Sequence, residues 1–201
     1  MHTKGKHYLA RSNNIEQFST TKFSMDGKLN ENAEPLIELS EHGIQTLPRQ
    51  ERIPDEDFLL LVTEEDCNGC ALAERQPVAA VGLTLSPQPE IFKYSSNVLD
   101  FSKGAVTDGA RTSGVPSEIL SYTDWAEPLI DMAHSHGVKN ILTAYTPVSP
   151  VQSQIRYAKP VLELAGIKLI FVHREYDQIF WPYATKGFLP LKKTRTIYSK
   201  G

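Results

Sequence analysis

One stretch of the chain, residues 123–190, constrains the fold more than any other. Within it, residues 124–136 have helical periodicity and lead into an apolar segment, 138–145, that is typical of a buried strand. Residues 150–165 repeat the helical pattern and lead into a second apolar segment, 167–172. Helices that alternate with short buried strands indicate a parallel sheet with helices covering its faces.

Three further strands are predicted before this stretch. Residues 58–62 (Phe-Leu-Leu-Leu-Val) form a continuous apolar run, as a strand buried on both faces does. Residues 78–85 form a second run, residues 98–111 have helical periodicity interrupted by glycines, and residues 118–122 form a short strand. We therefore predict an α/β fold with an open, doubly wound, mostly parallel five-stranded sheet, Rossmann-like, preceded by an irregular segment.

The same patterns divide the chain into four parts. We expect residues 57–175 to form the Rossmann-like domain and residues 176–201, which are aromatic and basic, to pack on it. Residues 26–56 are polar and contain three prolines, which is typical of an extended linker. Residues 1–25 are basic and contain a predicted short helix that ends near Phe23.

The two central helices have recognisable start signals. Asp124 is the predicted N-cap of the first helix, and Glu127, three residues on, is its capping-box partner. Ser149 is the predicted N-cap of the second helix, with Pro150 at the first helical position and Gln152 at the third. A glycine after each helix supplies the left-handed residue at which helices commonly end.

The composition excludes several classes of protein. Of the 201 residues, 40% are hydrophobic and 22% are charged, which is ordinary for a globular domain with a core. The net charge of −3 argues against a protein whose whole surface binds nucleic acid. The sequence has no apolar run long enough to cross a bilayer and no hydrophobic signal region at its start, so we expect a cytoplasmic protein.

Catalytic motifs are few, and the residues alone leave any catalytic group unknown. The only cysteines, Cys67 and Cys70, follow a predicted strand, where a helix N-terminus lowers the pKa of a redox thiol, so a thiol-disulfide protein is one alternative. The other interpretation is two incidental loop cysteines. A zinc site needs further ligands that the sequence does not offer beside them, and no metal site is predicted. We expect Glu64, Glu65 and Asp66 to form a solvated acidic loop.

The predicted topology indicates where a ligand would bind. Open parallel sheets bind ligands beyond the carboxyl ends of their strands. In this chain those ends are residues 63–66, 86–88, 145–149 and 173–176. The sequence has no glycine-rich phosphate loop and no Gly-x-Ser-x-Gly nucleophile elbow at any of them.

Three stretches together resemble one family. They are Phe180-Trp-Pro-Tyr-Ala-Thr-Lys-Gly-Phe-Leu-Pro-Leu-Lys-Lys193, His2-Thr-Lys-Gly-Lys-His-Tyr-Leu-Ala-Arg-Ser-Asn-Asn-Ile15, and Leu142-Thr-Ala-Tyr-Thr-Pro-Val-Ser-Pro150. The chain resembles the C-terminal portion of photolyase/cryptochrome-related flavoproteins in which the helical flavin-binding domain comes first and the α/β domain last. Independently of the family, Trp181 and Tyr183 are expected to anchor the last segment on the sheet.

The resemblance implies light-driven repair of pyrimidine dimers with FAD, or blue-light sensing, in the intact family. Residues 1–25 would be the end of the helical domain, and the rest of that domain would precede Met1. We therefore expect a truncated or split protein that is inactive alone and does not bind FAD by itself. The resemblance also implies an antenna chromophore at the sheet edge, and the residues at that rim are Thr63, Glu64, Asp66, Tyr145 and Thr146.

The partners follow from the same resemblance. We expect the chain to associate with a separate chain that carries the flavin domain. We expect it to bind DNA only when the intact protein is assembled, and not to bind a membrane. Besides the thiol-disulfide protein, the alternative is a non-enzymatic α/β interaction module. Such a module would bind neither flavin nor DNA, and it would form a fixed oligomer.

Overall fold

Five parallel strands form the sheet of this chain in a computed structural model. The structure describes residues 12–22, 47–69, 72, 74–85 and 94–183. The strands are β1 (Phe58–Thr63), β2 (Ala79–Leu85), β3 (Ser117–Tyr122), β4 (Asn140–Ala144) and β5 (Lys168–Val172). The helices are α1 (Ser12–Phe18), α2 (Ser96–Arg111), α3 (Ala126–Ser135), α4 (Pro150–Leu164) and α5 (Glu175–Phe180), which a 3-10 helix (Trp181–Tyr183) follows.

The strand order is β3-β2-β1-β4-β5, and all neighbouring strands are parallel. In the centre of the sheet, Leu60 pairs with Ala80 on one side and with Leu142 on the other. The predicted Rossmann-like α/β fold is therefore confirmed. The chain runs outward from β1 to β3, returns to β4, and then runs outward to β5. The strand order thus reverses between β1 and β4, the position at which such folds bind ligands.

Helices cover the sheet on both faces, which explains why β1 is apolar at every position from Phe58 to Val62. Leu59 and Leu61 point to one face and pack into a core with side chains of α3 and α4. Leu60 and Val62 point to the other face and share a core with Val106 of α2. Because neighbouring side chains of a strand point to opposite faces, burial on both faces requires the continuous apolar run that the sequence has.

Two glycines allow α2 to lie very close to the sheet. A Cβ atom on Gly82 of β2 would lie 2.5 Å from Cγ1 of Val106, and a Cβ atom on Gly109 would lie 2.3 Å from the carbonyl oxygen of Cys67. The glycine that weakens the helical periodicity near the end of α2 is therefore required by packing. By contrast, no atom of the described residues lies within 4 Å of a Cβ atom placed on Gly104.

The start of α4 is as predicted, and the start of α3 is not. The backbone N–H of Gln152 donates to Oγ of Ser149 at 3.0 Å, and Pro150 is the first residue of α4. The N-cap of α3 is Trp125, one residue later than the predicted Asp124. This later start places Pro128 at the third helical position. A backbone N–H at that position has no acceptor within the helix, so the lack of an N–H in proline costs no helical hydrogen bond.

The segment before β1 follows the sheet instead of leaving it. The side-chain oxygen of Gln50 accepts from the backbone N–H of His173 at 2.8 Å, and Glu51 forms an ion pair with Lys168 at 3.5 Å. Ile53 packs against the core on the α2 face. Residues 47–56, the described part of the predicted linker, are therefore extended and tied to β5.

The chain divides into two units, residues 47–182 and a second unit from the two ends of the chain. The second unit contains α1, which ends at Phe18, so the predicted extension of this helix to about Phe23 is wrong. The four-part division of the chain stays a prediction. Among the described residues, no helix is both long and apolar enough to cross a membrane.

Candidate functional site

A pocket opens beyond the carboxyl ends of β1, β4 and β5, beside the point where the strand order reverses. Its volume is about 180 Å³. Every residue that lines it belongs to the unit of residues 47–182: Leu47, Glu65, Asp66, Tyr145, Thr146, Pro147, His173, Arg174, Asp177 and Trp181. The topology therefore brings together segments that are more than 100 residues apart in sequence, and we call this pocket the edge pocket.

A tight turn after β1 directs Asp66 into the edge pocket. The backbone N–H of Asp66 donates to the carbonyl of Thr63 at 3.1 Å, and the two residues form an isolated β-bridge. The carboxylate of Asp66 then accepts from the backbone N–H of Asn68 at 3.0 Å. The aspartate thus stabilises its own turn, as aspartates in such turns commonly do.

Asp66 and Arg174 form an ion pair that joins the ends of β1 and β5. Both terminal nitrogens of the guanidinium donate to the carboxylate, one to each oxygen. The Asp66 and Arg174 side chains are only 20% and 24% exposed. Arg174 also donates to the carbonyl of Asn68 at 2.8 Å, and its guanidinium lies 3.9 Å from the carboxylate of Asp177. A bidentate ion pair of this kind fixes the relative orientation of the two side chains as well as balancing their charges.

The prediction of a solvated acidic loop is therefore wrong for Asp66. Its carboxylate is largely withdrawn from water because a partner from β5 neutralises it. Glu65 is exposed and also lines the pocket. The prediction fits Glu65 alone.

Tyr145 is the centre of an aromatic cluster on the pocket wall. Its ring makes edge-on contacts with His173 at 5.0 Å, with Trp181 at 6.0 Å and with Phe171 at 6.4 Å between centroids. Edge-to-face contacts at these distances are favourable. The expected anchoring role is confirmed for Trp181, which packs on the residue that directly follows β4, whereas Tyr183 is 44% exposed.

His173 is buried beside the edge pocket. Its backbone N–H is bonded to Gln50, and its carbonyl accepts from the side chain of Gln178 at 3.2 Å. Among the described residues, the ring atom Nε2 is buried without a hydrogen-bond partner. Burial lowers the pKa of the imidazole, and nearby Asp177 raises it by a smaller amount. Besides His173, the charged side chains that line the pocket are three carboxylates and one guanidinium.

The five predicted rim residues have three different positions. Asp66, Tyr145 and Thr146 line the edge pocket. Thr63 is 2% exposed and does not line it. Glu64 lies on the side of β2 and α2, and burial is the main cause that raises its pKa, against smaller lowering contributions from the Leu85 backbone and the Ser102 side chain.

Sequence reasoning assigned no role to five of the residues that line the pocket. Pro147, His173 and Arg174 were part of predicted strand ends, and Asp177 and Leu47 lay outside the predicted ends. The available signal for Arg174 was a basic residue two positions after a buried strand. The predicted end at residues 86–88 lies outside the described residues.

The surroundings of Cys67 do not favour a reactive thiolate. Its thiol donates to the carbonyl of Thr63 at 3.5 Å. Burial, followed by the charges of Asp66, Glu64 and Asp108, raises the thiol pKa, whereas the redox alternative requires a lowered one. This direction counts against the thiol-disulfide alternative, which stays a prediction because Cys70 lies outside the described residues.

A second pocket, of about 220 Å³, lies on the α2 face of the sheet near the start of β1. Phe58, Leu60 and Leu142 form its floor, and Arg75 and Gln76 are on its rim. It is away from the carboxyl edge, so the topology does not favour it as the ligand site. Within the described ranges, no group of three His, Cys, Asp or Glu side chains is arranged to hold a metal ion.

Comparison with known proteins adds no family to this description: neither the family models nor the curated proteins include a match to the sequence. The class that the structure establishes is an α/β domain with a five-stranded parallel sheet of Rossmann-like order.

Proposed function

We propose that this chain is a ligand-binding α/β domain that holds a small planar aromatic molecule in the edge pocket. By resemblance, it corresponds to the antenna domain of photolyase/cryptochrome-related flavoproteins. The 201 residues would then bind a chromophore, and the light-driven chemistry of that family would require its helical flavin domain in addition.

One observation supports this proposal most. Two of the stretches that resemble the family, residues 142–150 and 180–193, meet in the same pocket through the contact between Tyr145 and Trp181. A purely structural anchor needs the contact but no adjoining cavity. An aromatic wall beside an open cavity, at the point where the strand order reverses, is a common form of ligand site.

The size and charge of the edge pocket limit the ligand. Its volume of about 180 Å³ is below the roughly 300–1,000 Å³ typical of sites for drug-sized ligands, so a bicyclic ring system fits better than a larger one. Three carboxylates against one guanidinium, already paired with Asp66, disfavour phosphate groups. We therefore propose an uncharged bicyclic heteroaromatic ring, such as a pterin.

FAD does not fit this pocket, because its two phosphates would face the carboxylates and its rings exceed the volume. The proposal accordingly includes the expectation that the purified chain carries no flavin. A yellow protein that absorbs in the blue region would overturn this part of the proposal. The same resemblance supports three further proposals. They are a separate chain that carries the flavin domain, DNA binding only by the assembled protein, and a cytoplasmic location.

Titration of the chain with biopterin, followed by the polarisation of pterin fluorescence, tests the proposal. We expect saturable binding that Trp181→Ala weakens by about tenfold or more, because an aromatic stack contributes roughly 1–3 kcal/mol. Gln76→Ala, in the pocket on the α2 face, is the matched control and should bind as the unaltered chain does. Absence of binding, or equal loss in both variants, would contradict a pterin site in the edge pocket.

A further inference from the structure

Helix α4 has an apolar stripe on the side that faces away from the sheet. Its inner side packs into the core through Val151, Ile155, Ala158 and Leu162. Tyr157, Val161 and Leu164 are 76%, 45% and 90% exposed, and their spacing of four and three residues places them on one face of the helix. Pro160 lies exposed between them. We call these four residues the α4 stripe.

Single exposed apolar residues are ordinary, but a continuous stripe at helical spacing indicates a contact surface. The stripe lies on the solvent side of α4, away from the residues that pack into the core. No residue of α4 lines the edge pocket, so the stripe is a surface separate from the proposed ligand site.

Two opposite charges flank the stripe. Arg156 and Glu163 are seven residues apart, so they lie on the same side of the helix, and both are exposed. The Lys159 side chain, also on this side, reaches over the ring of Phe171 on the edge strand β5, at 5.3 Å. In the described part of the chain, neither Arg156 nor Glu163 forms a salt bridge.

We propose that the α4 stripe binds the α4 stripe of a second copy of this chain, with the two helices antiparallel about a two-fold axis beside Pro160. Arg156 and Tyr157 lie four and three residues before Pro160, and Glu163 and Leu164 lie three and four residues after it. The axis therefore places Arg156 beside Glu163 of the second copy, with an offset of one residue, or about 1.5 Å.

The apolar residues match in the same arrangement. Tyr157 comes to lie beside Leu164 of the second copy, again with an offset of one residue, and Val161 lies close to its own symmetry mate. A two-fold interface must be complementary to itself, which requires opposite charges at similar distances on the two sides of the axis. The spacing of Arg156 and Glu163 meets this requirement, and an unrelated partner would not need it.

The expected dimer is weak. A stable interface buries about 800 Å² on each partner, and one face of a four-turn helix offers less. We therefore expect the dimer to dissociate on dilution. This inference rests on the exposed side of α4 and stands or falls separately from the proposed ligand.

Sedimentation velocity of the full chain over a range of concentrations tests the dimer. We expect a reversible monomer-dimer equilibrium that Leu164→Lys shifts towards monomer by about tenfold or more. Phe101→Lys is the matched control, because Phe101 is 77% exposed on α2, on the other face of the sheet, and it should leave the equilibrium unchanged. A monomer at all concentrations, or an equal effect of the two variants, would overturn the proposal.

A charge swap tests the antiparallel arrangement. Arg156→Glu places two carboxylates together at both contacts and should weaken the dimer, as should Glu163→Arg. The double variant restores both pairs with reversed sign, so it should dimerise nearly as well as the unaltered chain. If each single variant weakens the dimer and the double variant fails to recover it, the two helices do not pack in this way.

Discussion

The two halves of the carboxyl edge of the sheet differ in how they are filled. On the side of β2 and α2, the backbone of Cys67 lies so close to Gly109 that no side chain fits between them, and the carboxyl of Glu64 is half-buried beside Ser102. On the side of β4 and β5, Asp66 and Arg174 form a two-pronged ion pair and leave the edge pocket open beside them.

The difference between the two halves shows how a reversal of the strand order can direct the side chains of neighbouring residues into different surroundings. Glu64 and Asp66 belong to one short loop after β1 and have the same chemistry, yet they point to opposite halves of the edge. One half is closed by a helix that packs on the loop. The other half is lined by charged and aromatic side chains, among them Asp177 of α5 and Trp181 of the 3-10 helix, and these side chains leave a pocket open.

Gly109→Ala should disrupt the packing of α2 on the loop after β1. Among the substitutions considered, it has the largest expected effect on the free energy of unfolding. The added Cβ atom would lie 2.3 Å from the carbonyl oxygen of Cys67, so α2 or the loop has to move. We expect a loss of about 3 kcal/mol in the free energy of unfolding, as overpacking against a backbone group gives. Urea denaturation followed by circular dichroism measures it.

Gly104→Ala is the control for this substitution, in the same helix. A Cβ atom there meets nothing within 4 Å in the described part of the chain, so alanine should stabilise the chain by about 0.5–1 kcal/mol. Similar effects at both glycines would show that α2 does not pack closely on the loop.

Arg174→Met should remove the ion pair beside the edge pocket. It removes the guanidinium from the largely buried carboxylate of Asp66, which keeps its hydrogen bond from the backbone N–H of Asn68, and we expect a loss of about 2 kcal/mol in the free energy of unfolding. Arg111→Met is the control, because the Arg111–Asp108 pair is 75% and 67% exposed and should contribute less than about 0.5 kcal/mol. Equal losses would mean that the buried pair is no stronger than a surface pair.

His173→Phe should change the dependence of stability on pH. Because burial lowers the pKa of His173, the unfolded chain binds a proton more readily, and stability is lost as the pH falls below about 6.5. Phenylalanine keeps the ring contact with Tyr145 and removes the titrating group. Urea denaturation at several pH values between about 5 and 7 should therefore give a flatter profile for the variant. An unchanged profile would show that another group causes the acid sensitivity.

Glu64→Gln should have the smallest effect, with the opposite dependence on pH. A raised pKa means that the folded chain binds the proton more readily, so Glu64 reduces stability as the pH rises above about 4.3. Glutamine retains hydrogen-bonding atoms for Leu85 and Ser102 without a charge. The variant should be slightly more stable than the unaltered chain at neutral pH and equal to it in acid; a less stable variant at neutral pH would contradict the assignment.

Most of the fold could be predicted because its signals are local. The continuous apolar run of β1 and the largely apolar sequence of β4 mark buried strands, and Ser149, Pro150 and Gln152 mark the start of α4 within one turn of chain. The predicted N-cap of α3 was wrong by one residue, although Oδ1 of Asp124 accepts from the backbone N–H of Ala126, the first residue of α3, at 2.9 Å.

The position of the edge pocket could be predicted from the sequence, but its contacts could not. The carboxyl ends of the strands follow from the topology, which is why Asp66, Tyr145 and Thr146 were expected at the rim that the pocket occupies; that they bind a ligand stays a prediction. The pairing of Asp66 with Arg174 joins residues 108 positions apart, and no local pattern indicates it. The opposite direction of Glu64 likewise depends on α2, which packs against that loop only in the folded chain.

The binding of a planar ligand in the edge pocket is tested most directly by the two indole N–H signals of the 15N-labelled chain. The chain has two tryptophans, Trp181 on the pocket wall and Trp125 in the core, where it is 0% exposed. Trp181→Phe assigns the two signals. On addition of biopterin we expect the Trp181 signal to shift progressively and the Trp125 signal to stay in place. If neither signal moves, or if both move together, the edge pocket is not the binding site.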